Sequence, residues 1–225
     1  MGQAKSRNLV ISGIGSFNGG QVETAKIDGI GKINGDLGCF RLILNGKAEI
    51  HGNAKAASAD INGVLSVEGD MQSGNLNVHG KVVVAGGCTA DDIQLDGIMS
   101  VKGDCEAEKF AARGKLQMKT LNAGLIEIHM HGHCQIAEIG GEQIRIRKLP
   151  GVDFARWLKM VPLQFGNRLT AEIIEGDDVY VEHTKAAVVR GANVVIGPGS
   201  EIGLVEYKQK FEQDKSAKVM RTEQM

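Results

Sequence analysis

The densest group of potential metal ligands in the chain is His129-Met130-His131-Gly132-His133-Cys134. In an extended segment alternate side chains point the same way, so with Ile128 and Met130 facing inward, His129 and His131 project together from the opposite face. Two imidazoles so placed can bind zinc, but a built zinc site takes three or four protein ligands. No third or fourth ligand is identifiable, so His129 and His131 stand as weak metal candidates beside a plainer reading, a polar outer strand whose histidines alternate.

Other chemistry is thinner. Gly13-Ile14-Gly15 and Gly29-Ile30-Gly31 begin like dinucleotide fingerprints but lack the third glycine and the helix that must follow. No GxxxxGK[ST] phosphate loop occurs. Asp28, Asp36, Asp70, Asp96 and Asp104 recur beside glycines, where turn chemistry accounts for them. The expectation is a protein without a catalytic site or cofactor.

What positions these residues is a repeat. Gly29, Gly46, Gly63, Gly80, Gly97 and Gly114 are spaced seventeen apart, and Gly35, Gly52, Gly69, Gly86 and Gly103 follow in the same register, ending at Thr120. Columns drawn in that register sort by polarity. Those beginning at Ala25, Ile27, Gly31, Ile33 and Leu37 hold twenty-eight apolar residues of thirty, whereas those beginning at Lys26, Asp28, Lys32 and Asn34 hold four of twenty-four. Alternation with period two predicts strands with one buried face, here about three to five residues long and broken at glycines that take positive φ. Such a unit buries its inner face only by stacking on copies of itself, about 4.8 Å apart. The fold class is therefore all-β, a parallel β-helix or solenoid with rungs of about seventeen residues. Cys88 and Cys105 fall in one inward column on adjacent rungs, within disulfide reach, yet burial in a reducing compartment favours two apolar thiols.

The organisation follows from where the repeat holds. Residues 1–8 read as a flexible N-terminus and 9–149 as the main β-helix, with a first rung sixteen residues long and a one-residue slip after Thr120. In 150–169 Phe154, Trp157, Leu158 and Val161 have helical spacing, predicting a short helical insertion that packs on the solenoid or rests on a membrane surface. Residues 170–207 resume as rungs of period fifteen, Ile174, Val189 and Leu204 sharing a column, and 208–225 read as a charged, solvated tail. The 26 basic and 27 acidic residues leave a net charge of −1, and aromatics make up 4%, a poor profile for nucleic-acid binding. No apolar run reaches the roughly 18–20 residues of a membrane span and no signal peptide opens the chain, so a cytoplasmic location is expected.

The segments IDGIGKINGD (27–36), LNGKAEIHGN (44–53), INGVLSVEGD (61–70) and LDGIMSVKGD (95–104) resemble the bactofilins, bacterial polymer-forming cytoskeletal proteins. The resemblance implies a right-handed parallel β-helix that assembles without nucleotide and serves cell shape, motility or the localisation of other proteins. Partners would be copies of itself, a related bactofilin, and cell-envelope or motility proteins, with peripheral membrane contact. The bactofilin pattern has proline-rich tails and no second block after an insertion, and this chain departs from it in both. An open solenoid end exposes unpaired backbone and an apolar rung, both suited to strand addition. The expected self-assembly residues are Leu9, Ile11 and Phe17 at one end and Val194, Ile196 and Leu204 at the other. Two further readings remain: a β-helical binding scaffold that does not polymerise, and an acyltransferase-like enzyme, because VVIGPGSEIG (194–203) resembles a hexapeptide repeat of left-handed helices.

Overall fold

The computed structural model describes residues 8–148 and 168–225. Within them the chain forms eleven parallel strands in one sheet, ordered as in the sequence: β1 (Leu9–Phe17), β2 (Gly20–Ile33), β3 (Leu37–Ile50), β4 (Ala54–Val67), β5 (Met71–Val84), β6 (Cys88–Met130), β7 (His133–Lys148), β8 (Arg168–Val181), β9 (Thr184–Ile196), β10 (Glu201–Gln213) and β11 (Lys218–Gln224). This is a parallel β-solenoid, and no helix occurs among the described residues. The expected insertion helix, including Trp157, lies outside them apart from Arg168 and Leu169, which open β8.

Each of β2 to β5 pairs with the next strand in the seventeen-residue register, as in Gly29↔Gly46↔Gly63↔Gly80↔Gly97. The inward columns form one continuous core: Ile27, Leu44, Leu65, Leu76 and Val84, each at most 1% exposed, belong to a single stack of buried side chains. The first rung is sixteen residues long, Gly13 lying opposite Gly29, and the slip after Thr120 is seen as Gln117↔Gln135.

Strand lengths depart from expectation. β2 to β5 run fourteen residues each, straight through the corner glycines rather than breaking at them. The reason is local. Gly46, Gly63, Gly80 and Gly97 turn the chain at φ between +131° and +147° while remaining in register with the rung on either side, so the ladder bends without interruption. The second glycine series works differently. Gly69, Gly86 and Gly103 are not in that φ region, but a Cβ on any of them would come within 2.9 Å of backbone one rung below. Close approach, rather than conformation, explains those positions.

Two C-terminal expectations are corrected. Residues 208–225 are not a tail, since β10 continues to Gln213 and β11 adds a further rung, with Ile202↔Val219 and Val205↔Thr222. Their charge sits on exposed positions, which conceals the strand pattern. Leu204 is not in the inward column of Ile174 and Val189 either. Val189 pairs with Val205, which is fully buried, and Leu204 lies beside Val188 on the outer side. The cause is one extra residue: Val181 to Thr184 spans a corner that its successor covers as Ile196 to Ser200, turning at Pro198 and Gly199 (φ +69°).

Candidate assembly surfaces and side-chain ladders

Ile128 and Met130 are fully buried, as the alternation requires, and the flanking histidines point outward. They do not form a matched pair. His129 is half-buried with Nε2 3.1 Å from Glu127 Oε1, while His131 is exposed and its backbone N–H donates to the Gly114 carbonyl at 2.9 Å. Among the described residues no three His, Cys, Asp or Glu side chains are placed to hold a metal ion. His129 instead lines an open hollow of about 360 Å³ with His79, Asp96, Arg113 and Glu127. Sequence reading did not bring His79 to this group, although its signal was present: His79 lies opposite Asp96 in the same column that carries Arg113.

The recurring Asp and Asn residues form ladders along the solenoid. Asp36 Oδ1 accepts the Asn53 backbone N–H at 2.7 Å, Asn53 Oδ1 accepts that of Asp70 at 2.8 Å, and Asp70 Oδ1 accepts that of Gly87 at 2.8 Å. Each side chain thus satisfies a corner amide one rung on. A second ladder is made of side chains alone: Asn45 donates to Asp28 at 2.6 Å and Asn62 donates to Asn45 at 3.2 Å. The Asn45 amide, with Lys26, holds the Asp28 carboxyl below its ordinary range. Asp36 and Asp70 hold the corner of the next rung rather than their own turn, which corrects the turn reading, and Asp28 joins the side-chain ladder.

All four cysteines are free thiols. Cys88 and Cys105 are fully buried, and contact with Cys88 together with burial raises the Cys105 pKa. Cys134 Sγ accepts the Leu116 N–H at 3.4 Å and lies 3.5 Å from the Gly114 carbonyl, with burial again raising its pKa. Burial pushes half-buried Cys39 up to about 11. Reactive cysteines show the opposite shift, toward thiolate at neutral pH.

Near the end of β7, the Arg147 guanidinium lies 5.4 Å from the Tyr180 ring centroid, and the Tyr180 hydroxyl donates to Glu182 at 2.6 Å. Burial and that carboxylate push the phenol up to about 12. Farther along, Arg190 bridges Glu175 at 2.9 Å and Glu206 at 2.6 Å, tying three successive rungs.

The expected assembly residues fall into two groups. Leu9, Ile11 and Phe17 belong to β1, Ile11 buried in the core and the other two packed partly against it. β1 is an edge, paired with β2 on one side and with nothing among the described residues on the other. Val194 and Ile196, by contrast, are fully buried in β9, which is paired on both sides, and Leu204 lies in β10, also paired on both sides. These three do not stand at an end. Among the described residues the C-terminal edge is β11, whose residues are mostly polar and exposed, apart from Val219, half-buried against the core, and Met220, 90% exposed. The two edges therefore differ in chemistry, apolar at β1 and polar at β11.

No helix among the described residues is long and apolar enough to cross a membrane. No family model matches the chain, and no solved structure matches it. It is similar to two proteins of Bacillus subtilis (strain 168). One is the uncharacterized protein YhbF, 40% identical over 100 residues that cover 44% of this chain and 39% of the relative. The other is the uncharacterized protein YhbE, 37% identical over 100 residues covering 44% and 40%. The matched stretch thus spans about two fifths of each relative.

Proposed function

We propose that this chain is a structural protein that assembles from copies of itself without nucleotide, as the resemblance to bactofilins implies, and acts in the cytoplasm as a scaffold for cell shape, motility or the localisation of other proteins. One observation carries the reading. Among the described residues β1 is paired on one side only, and its inner residues, Leu9, Ile11 and Phe17, continue the apolar core. Val10 is 63% exposed and Ile14 85%, so the outer face of the same strand carries two aliphatic side chains alternating with Ser12 and Ser16. An apolar open edge is a template for pairing with another chain. A second copy placed edge to edge brings Phe17 against its counterpart and closes a symmetric dimer first. Longer assemblies then need a further contact, because the polar β11 edge does not offer the same surface.

Phe17→Arg tests this. A charge at the rim leaves the β-rich circular dichroism spectrum intact and lowers the sedimenting mass. Wild-type assembly by that variant would remove β1 as the contact. The competing reading, a scaffold that stays small and recruits partners along its faces, requires purified wild-type protein to remain a small oligomer.

A further inference from the structure

The residues that follow the corner glycines form one straight ridge. Ile14 lies opposite Ile30, Ile30 opposite Lys47, Lys47 opposite Val64, Val64 opposite Lys81 and Lys81 opposite Ile98. Lys115 follows seventeen residues later. Every position is exposed, with Ile30 at 50% and Ile98 at 42%. Over roughly 29 Å, six steps of about 4.8 Å, the ridge carries four aliphatic side chains and three lysines, of which Lys47 is already paired with Glu49 at 2.7 Å. Turn chemistry explains the glycines beside it but not its own composition. Exposed β-branched residues repeated along one line form a surface that monomers seldom leave uncovered.

The C-terminal half of the same chain carries a surface of the opposite shape and charge. A shallow trough of about 1010 Å³ runs along Gly141, Gly176 and Gly191, which lie opposite one another in register. A Cβ on Gly191 would stand 2.7 Å from the Gly176 carbonyl oxygen, so the floor is held to bare backbone. Ile173, 39% exposed, gives the trough an apolar side, with the buried Ile139 behind it. Glu138, Glu142 and Asp177 also line it and make no ion pair among the described residues. Of its cations, Arg190 is engaged by Glu175 and Glu206, and Lys208 lies on β10.

We infer that the ridge Ile14–Lys115 of one copy seats in the glycine-floored trough of a second copy, lysines against Glu142 and Asp177 and aliphatic side chains against Ile173. Both surfaces are ladders with the same rung spacing, so a side-by-side arrangement engages several rungs at once, with a lysine on every second rung of the ridge. The two surfaces lie in different halves of the chain, so each copy is staggered relative to the next. Such a contact is heterologous and does not close, which supplies the extension that a β1 dimer lacks. It is independent of the β1 contact.

The experiment uses two full-length charge-reversed proteins, each also made with Phe17→Arg so that the end contact is silent. One carries Lys81→Glu and Lys115→Glu, the other Glu142→Lys and Asp177→Lys, and these four positions are exposed, Phe17 being half-buried and common to both proteins and their parent. Each protein alone places like charges across the contact and is expected to sediment at least severalfold lighter than its Phe17→Arg parent. Mixed in equal amounts they are expected to recover the parent's mass, since each ridge then meets an oppositely charged trough. Parent-like mass for either variant alone, a mixture that stays light, or a parent that is itself monomeric would overturn the inference. So would loss of co-sedimentation with phosphatidylglycerol vesicles in the lysine variant while its self-association is unchanged, which would assign the ridge to an anionic lipid surface.

Discussion

Gly63 sits directly over Gly46, and a Cβ on Gly63 would overlap the carbonyl oxygen of Gly46. Its φ of +138° lies where side-chain-bearing residues are strained in any case. Conformation and space therefore both demand glycine at this corner. Gly63→Ala or Gly80→Ala is expected to cost more than about 3 kcal/mol, because steric overlap adds to backbone strain. Gly13 makes a control: its φ is +91°, yet a Cβ there meets nothing within 4 Å. Gly13→Ala is expected to cost about 1–2 kcal/mol, the strain alone. Urea unfolding midpoints decide the comparison, and equal losses at the two sites would refute the steric part of the account.

Val67 and Val84 occupy one inward column, 1% and 0% exposed. Val67→Asp or Val84→Asp buries a carboxyl with no partner and is expected to lose more than about 3 kcal/mol or prevent folding. Lys102 and Lys119 are exposed, and their replacement by alanine is expected to change stability by less than about 0.5 kcal/mol. Thermal melts of the four variants check the inward and outward assignments together.

Asp70 accepts the Gly87 amide, the task that Asn53 performs one rung earlier for Asp70 itself. Asp70→Ala leaves that amide to water and is expected to cost about 1 kcal/mol. Asp70→Asn keeps the accepting oxygen and is expected to be close to neutral. A charge-based role would instead make the two variants equally damaging in chemical denaturation.

Cys39 holds its proton more tightly in the folded state, with a pKa of about 11 against roughly 8.5 for a free thiol. A raised folded pKa gives a contribution that is complete below the unfolded value and lost as pH rises toward the folded one. Stability is therefore expected to fall across that alkaline window, with a shallower fall in Cys39→Ala. Asp28 and Asp214, held low by Asn45 and Ser216 respectively, carry the opposite sign. Their contribution is present above roughly pH 3.9 and disappears as pH falls through the lowered folded values. Thermal midpoints measured from acid to alkali test both limbs.

The period of seventeen and the inward columns were legible in the sequence because burial is enforced once per rung. Every inward position meets the same environment as its neighbours, so apolar residues recur at a fixed spacing. Corner glycines were legible for the same reason, although their ladders pass unbroken where breaks were expected. Positions facing water carry no such constraint, and there the reading ran out. Residues 208–225 looked like a tail because β11 and the end of β10 expose nearly all their side chains, and only pairing with the preceding rung identifies them as strands. A single extra corner residue moved Val205, not Leu204, into the core, a shift that a period cannot reveal in advance. His79 reaching the hollow of His129, and the ridge from Ile14 to Lys115, likewise depend on which residues the stack places one above another. Composition and spacing determined the rung; the tertiary structure decided which outer residues share a surface, because that depends on the register of every corner between them.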